Sequence, residues 1–138
     1  MTTRSEAVGL LRSATYGVLA TTFSDGRPHA AVVGVAVTDE LELVFDTVRS
    51  SRKAQNLERD PRCAFSAWAG AITVQLEGRA DVLAGVELER LRRIYLDAFP
   101  DGRERALVVP GLIWVRVRPD WTRLSDYATD PPRVELVP

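Results

Sequence analysis

Residues 17–47 read GVLATTFSDGRPHAAVVGVAVTDELELVFDT and contain three runs that are rich in β-branched and apolar residues. The turn-forming segments 24–27 and 38–40 separate these runs. Glycine, aspartate and serine in such short connections favour tight turns, which join antiparallel neighbours. In the third run, residues 41–47, apolar and acidic side chains alternate as they do in a strand with one buried face. The stretch therefore predicts an antiparallel meander of three strands.

Outside this stretch, the hydrophobic pattern predicts three further strands and three helices. The strands fall at 63–68, 71–82 and 111–118, and the helices at 3–13, 51–60 and 86–99. Gly78 interrupts the second of these strands and indicates a β-bulge. Neither a βαβ rhythm nor a GxGxxG motif is present, which excludes a Rossmann domain. We predict a mainly β (α+β) fold, in which one domain, residues 1–138, forms a six-stranded antiparallel β-barrel with flanking helices.

Composition and charge exclude several classes of function. The chain has 18 lysines and arginines against 19 aspartates and glutamates, and its net charge of −1 does not suit bulk binding to nucleic acid or anionic membranes. One cysteine, Cys63, and one histidine, His29, are too few for a structural zinc site, which takes four such ligands. No apolar run approaches the ~20 residues that cross a bilayer, and the first residues lack a secretory signal. We expect a cytoplasmic protein without nucleic-acid, membrane or metal partners.

The most informative local feature is a pair of cations, Arg52 and Lys53, in the first turn of the predicted helix 51–60. A helix N-terminus already carries positive potential, so each cation there costs about 0.3–1 kcal/mol. The placement becomes favourable if an anion docks where free amides, serine hydroxyls and both cations converge. The alternative is that both side chains point into solvent and bind nothing. The spacing of the residues leaves both interpretations open.

No arrangement of side chains predicts a catalytic residue. His29 could act as a general acid or base, but no nucleophile motif accompanies it, and it fits a half-exposed strand position. Carboxylates are numerous, yet no pair is placed for acid–base catalysis. Cys63 begins an apolar strand and is expected to be a buried thiol.

Four segments occur in a characteristic order: DGRPH at 25–29, SSRKAQNLERDPR at 50–62, VQLEGRADVL at 74–83 and WVRVRPDW at 114–121. Their order and spacing together resemble the pyridoxamine 5′-phosphate oxidase-like flavin-binding split-barrel superfamily. The resemblance covers about residues 17–83 and adds the last strand. It implies a split β-barrel that forms a homodimer and binds FMN at the subunit interface.

The resemblance also implies which residues contact the cofactor. Arg52 and Lys53 would hold the flavin phosphate, with Thr47 nearby, and the backbone around Val32 would lie along the isoalloxazine ring. Trp121 resembles the tryptophan that reaches the flavin from the partner subunit. The complete implied set is Ala31, Val32, Val33, Thr47, Ser51, Arg52, Lys53, Thr73 and Trp121.

The chain departs from the authentic oxidases where they bind pyridoxal phosphate. Ala31 stands in place of an arginine, and Ser125 stands in place of the histidine of an Arg-Leu-His-Asp segment. The resemblance therefore implies an FMN-dependent oxidoreductase that acts on a different small molecule, with no catalytic side chain because the flavin carries the redox chemistry. Two alternatives stay open. One is a deazaflavin-dependent reductase, which also keeps a lysine at the Lys53 position, and the other is a non-catalytic flavin- or heme-binding protein.

Overall fold

The computed structural model describes all residues, 1–138, and contains four helices and eight strands. The helices are α1 (Thr3–Ala14), α2 (Arg52–Arg59), α3 (Gly85–Ala98) and α4 (Gly102–Val108). The strands are β1 (Tyr16–Thr22), β2 (Pro28–Gly34), β3 (Ala36–Val37), β4 (Leu43–Val48), β5 (Arg62–Ala69), β6 (Ile72–Val82), β7 (Leu112–Asp126) and β8 (Arg133–Leu136).

All strands belong to one antiparallel sheet in the order β2-β1-β5-β6-β7-β4-β3, and β8 pairs with the second half of β7. β2 and β3 follow each other directly in the chain, yet they lie at opposite ends of this order. At Val35 the chain therefore leaves one edge of the sheet and joins the other, which curls the sheet into a half-barrel. The predicted mainly β, antiparallel split barrel with flanking helices is confirmed.

The number of strands is eight rather than the predicted six. The predicted strand 28–37 is divided at Val35 into β2 and β3, and the tail contributes β8. The last predicted strand, 111–118, continues as β7 to Asp126, so that Trp121 lies within a strand rather than in a tail. The predicted bulge at Gly78 is confirmed, because the register between β6 and β7 shifts between Glu77 and Gly78.

The main core fills the concave side of the sheet. Alternate residues of β1, β4, β5, β6 and β7 point inward, and α1 and α2 add apolar side chains from the ends of the half-barrel. Burial of a leucine or phenylalanine of this kind contributes about 1.5–3 kcal/mol. The largest fully buried side chains of this core are Leu11, Leu19, Leu43, Phe45, Phe65, Leu76 and Leu124.

The convex side of the sheet is covered over one half only. α3 packs on β3, β4 and the start of β7 through a second core that includes Val44, Leu91, Tyr95 and Trp114. Apart from the buried Ser125, the outward side chains of β2, β1, β5, β6, β8 and the second half of β7 remain exposed or half-buried. We call this surface the open face; its members include Val18, Ala20, Ala30, Val32, Ala64, Ser66, Trp68, Thr73, Gln75, Glu77, Trp121, Arg123, Val134 and Leu136.

The helices are short. The longest, α3, has 14 residues, and none of the four combines the length and hydrophobicity that a membrane-crossing helix requires.

Candidate functional site

The candidate site begins where β4 ends and α2 starts. Ser51 is the N-cap of α2, and its Oγ accepts a hydrogen bond from the Ala54 amide at 3.2 Å. Thr47, buried near the end of β4, places its hydroxyl 2.9 Å from the same Oγ. These two hydrogen bonds fix the first turn of α2 against the sheet. We call Thr47, Ser51, Arg52 and Lys53 the anchor segment.

The anchor segment carries two cations without a protein counterion. Arg52 is exposed and Lys53 is half-buried, and neither forms an ion pair or a side-chain hydrogen bond. The neighbouring cations are occupied, since Arg49 pairs with Glu58 at 2.9 Å and Arg59 donates to the carbonyl of Thr22. The first turn of α2 contains no acidic residue. Two free cations and the helix dipole therefore give this point a positive potential that favours an anion.

The predicted ring-binding residues lie on an edge strand. Ala31, Val32 and Val33 pair with β1 on one side only, because β2 stands at the end of the sheet order. The backbone amides and carbonyls on the free side of β2 have no strand partner, so an external molecule can bind to them. The Val32 side chain is 70% exposed, and Val33 is buried.

Thr73 and Trp121 lie on the open face. Thr73, on β6, is opposite Trp68 of β5. Trp121 borders a groove of about 310 Å³ whose floor contains small side chains, and the Arg123 guanidinium lies 5.6 Å from the centre of its ring. Arg123 also donates to Gln75 Oε1 at 2.8 Å. The sequence pattern does not indicate Arg123, because the predicted strand 111–118 ends before it and only the continuation of β7 to Asp126 places it on the same face as Trp121.

One chain does not bring all of the predicted residues together. The structure unites the anchor segment, but no hydrogen bond links Thr73 or Trp121 to it, and β7 separates β6 from β4 in the sheet. The homodimer and the cofactor contacts thus stay predictions.

The two side chains considered for acid–base or thiol chemistry have ordinary structural surroundings. His29 is half-buried on β2 and lies edge-on to Phe23, with 5.4 Å between ring centres. Its Nδ1 is buried without a hydrogen-bond partner. Cys63 is buried, and this burial raises the pKa of its thiol to about 11, so the thiol stays protonated and unreactive at neutral pH.

The curled antiparallel sheet, with its core closed by α1 and α2 and its convex side half covered by α3, defines a split-barrel protein. The chain belongs to the pyridoxamine 5′-phosphate oxidase family, because the family model of that description matches residues 3–126. This result confirms the resemblance that the sequence motifs indicate.

Solved structures share the fold at low sequence identity. The heme binding protein from Mycobacterium smegmatis is 22% identical, with 99% of this chain and 58% of that protein covered and a TM-score of 0.82. HutZ, the heme storage protein from Vibrio cholerae, is 14% identical, with 87% and 92% covered and a TM-score of 0.74. General Stress Protein 26 from Bacillus anthracis is 19% identical, with 99% and 100% covered and a TM-score of 0.73. No curated protein matches the chain significantly.

Proposed function

We propose that this protein is an FMN-dependent oxidoreductase that acts as a homodimer on a small molecule other than pyridoxamine phosphate. The observation that carries the proposal is the anchor segment, where Arg52 and Lys53 stand without counterions at the start of α2. A phosphate monoester is a dianion with several acceptor oxygens, which suits two cations, a hydroxyl and free helix amides.

The remaining predicted residues suit the other end of FMN. The free backbone edge of β2 offers donors and acceptors to the polar rim of the isoalloxazine ring. The groove beside Trp121 of the partner subunit offers an aromatic wall and a floor of small side chains, which suits a flat ring. Bound FMN supplies the redox chemistry, and the protein binds and orients it.

The phosphate site is tested with Arg52→Glu. We expect the variant to bind FMN about 10- to 100-fold more weakly, because it loses a charge-assisted hydrogen bond and gains a repulsive charge. The variant's affinity for riboflavin, which lacks the phosphate, should stay within about twofold of the wild-type affinity. In the proposed complex, the side chains of residues 52 and 53 contact the phosphate and not the ring. Quenching of flavin fluorescence measures both affinities.

Arg93→Glu is the matched control, because Arg93 is an exposed arginine of α3 without a counterion. It should leave both affinities unchanged. Equal FMN affinity for Arg52→Glu and the wild type would refute the phosphate site. The same titration with a deazaflavin coenzyme decides between the two cofactors, and the tighter ligand identifies the class of enzyme.

The open face supports the homodimer. Val32, Trp68, Val134 and Leu136 are 70%, 61%, 52% and 62% exposed, and they extend across one continuous side of the sheet. Large exposed apolar surfaces of this kind mark protein–protein contacts. A second copy of the chain would cover the open face and bring the partner's Trp121 groove to the anchor segment.

The dimer is tested with Val32→Glu, which places a carboxylate on the open face of both subunits. We expect this variant to be monomeric at concentrations at which the wild type is dimeric, because burial of unpaired charge is costly. Val86→Glu is the control, since Val86 is 79% exposed on α3, outside the open face. Light scattering after gel filtration measures the mass, and a Val32→Glu dimer of wild-type stability would contradict the interface.

A non-catalytic heme-binding protein is the second candidate function. It is supported by the half-buried imidazole of His29 on the edge strand β2 and by the two similar solved structures, a heme binding protein and a heme storage protein. Imidazole nitrogen is a common axial ligand of heme iron. A heme absorption band that disappears in His29→Ala, with no binding of FMN, would favour this function over the first.

A further inference from the structure

Helix α4 is attached to the protein in an unusual way. Gly102 is the only buried residue of its seven, and Leu107 and Val108 are 86% and 75% exposed. The helix therefore has almost no apolar packing that would stabilise its position. What holds α4 must be polar.

One cluster of three side chains supplies this polar contact. Arg105 donates to Asp46 Oδ2 from Nε at 3.1 Å and from Nη2 at 2.8 Å, and it donates to the Tyr95 hydroxyl at 3.0 Å. The Tyr95 hydroxyl donates to Asp46 Oδ1 at 3.0 Å. The Asp46 side chain is only 11% exposed, so its carboxylate is shielded from water, while the Arg105 side chain is 35% exposed. We call Asp46, Tyr95 and Arg105 the latch.

Two backbone connections join the latch and α4 to the anchor segment. Asp46 directly precedes Thr47, whose hydroxyl contacts Ser51. On the other side, the connection from α4 to β7 contains Gly111, whose carbonyl accepts a hydrogen bond from the Arg49 amide at 2.8 Å. Arg49 lies in the turn that leads into α2. Movement of α4 would therefore loosen the turn that positions the anchor segment.

We propose that the latch holds α4 in its observed position and that the opening of the latch sets the rate at which the cofactor dissociates. Arg105 is then a positioning residue for the anchor segment. The cofactor part rests on the proposed function above. Because a single charge-assisted cluster replaces apolar packing, α4 can open without unfolding the barrel. The exposed apolar end of α4 moves with it.

The test compares Arg105→Met with Arg103→Met, which removes an exposed cation of the same helix that has no partner. Hydrogen–deuterium exchange of the α4 amides should become about tenfold faster in Arg105→Met and remain unchanged in Arg103→Met. FMN dissociation, followed by the return of flavin fluorescence, should also become about tenfold faster in Arg105→Met alone. Arg105→Lys, which keeps one donor and the charge, should give intermediate rates.

Three results would overturn the proposal. Unchanged exchange of the α4 amides in Arg105→Met would show that the latch does not hold α4. Faster exchange with an unchanged FMN dissociation rate would show that α4 is not coupled to the cofactor. Faster exchange over the whole barrel would show that Arg105 acts only on global stability. If Arg105→Met does not fold, Asp46→Asn serves instead, because an amide can still accept the Tyr95 hydrogen bond. A wild type that does not bind FMN would refute the proposed function, while the exchange experiment would still test the latch.

Discussion

Replacement of Arg116 by methionine is expected to lower the free energy of unfolding by about 2 kcal/mol. The Arg116 side chain is 6% exposed and forms a bidentate pair with Asp81 at 2.9 and 3.1 Å. It also contacts Glu87 at 2.8 Å and Glu42 at 3.6 Å. Without the guanidinium, three carboxylates from β6, α3 and the β3–β4 connection would face one another. The half-exposed Arg90, 3.1 Å from Glu87 and 3.6 Å from Glu42, would be their nearest remaining counterion. Urea denaturation followed by tryptophan fluorescence measures the loss.

Arg118→Met is the control for this variant. Arg118 follows on the same side of β7, but its side chain is 63% exposed and lies 3.9 Å from Glu42. Exposed ion pairs of this kind contribute little, so we expect a change within about 0.5 kcal/mol. Equal effects of the two substitutions would mean that burial does not strengthen the Arg116 cluster.

The effect of Arg116→Met should depend on pH. Hydrogen bonding to Arg90, followed by Arg116, lowers the pKa of Glu87 below its usual value of 4.5. A lowered pKa contributes stability above the pKa of the unfolded chain, and this contribution disappears as the pH falls through the folded value. Protonation of Glu87 also removes its repulsion of the neighbouring carboxylates in the variant. The difference between Arg116→Met and the wild type should therefore be full at pH 7 and shrink below about pH 4.5.

The sequence predicts local features of the fold well, because they depend on neighbouring residues. Alternation places Arg116 on the outward side of β7, and Gly78 indicates the bulge. The break at Val35 has no such signal, since a β-branched residue continues the run. Only the closure of the half-barrel, in which β2 pairs with β1 and β3 pairs with β4, requires it.

Pro119 directly follows the predicted strand 111–118, yet β7 continues through it to Asp126. Proline normally ends a central strand, since it has no amide hydrogen to donate. Here Pro119 stands opposite Gly78, at the bulge, where the ladder is already interrupted. The strand can therefore continue to Trp121 and beyond. The extra residue of this bulge is Asp120 of β7, because Glu77 pairs with Trp121 and Gly78 pairs with Pro119. The bulge therefore lies next to the proline on the same strand, and the register that reveals it is not readable from β7 alone.

In the candidate site too, the sequence predicts contacts between residues that are neighbours in the chain and misses contacts between distant residues. The cations of the anchor segment are readable from the sequence, because a helix start and its charges are adjacent in the chain. The partners of Arg105 are not, since Asp46 lies 59 residues earlier. Helix α4 also escapes prediction, because its seven residues bury only Gly102 and so show no apolar periodicity.

Replacement of Gly78 by alanine is expected to destabilise the protein by about 3 kcal/mol or more. A Cβ atom at this position would lie 2.2 Å from the carbonyl oxygen of Arg118 and 3.0 Å from the Cα of Pro119. Both are backbone atoms of β7, so no side-chain rotation can relieve the contact. The β6–β7 ladder runs from Ile72 to Val82, and the bulge would have to shift within it.

Gly9→Ala provides the matched control, because the same methyl group at Gly9 meets nothing within 4 Å on the exposed side of α1. Alanine is the better helix former, and this variant should be more stable than the wild type by about 0.5–1 kcal/mol. Thermal unfolding followed by circular dichroism compares the three proteins. A Gly78→Ala protein as stable as the wild type would mean that β7 can move away from the bulge without cost. In that case the close approach of the two backbones would not be what requires glycine at this position.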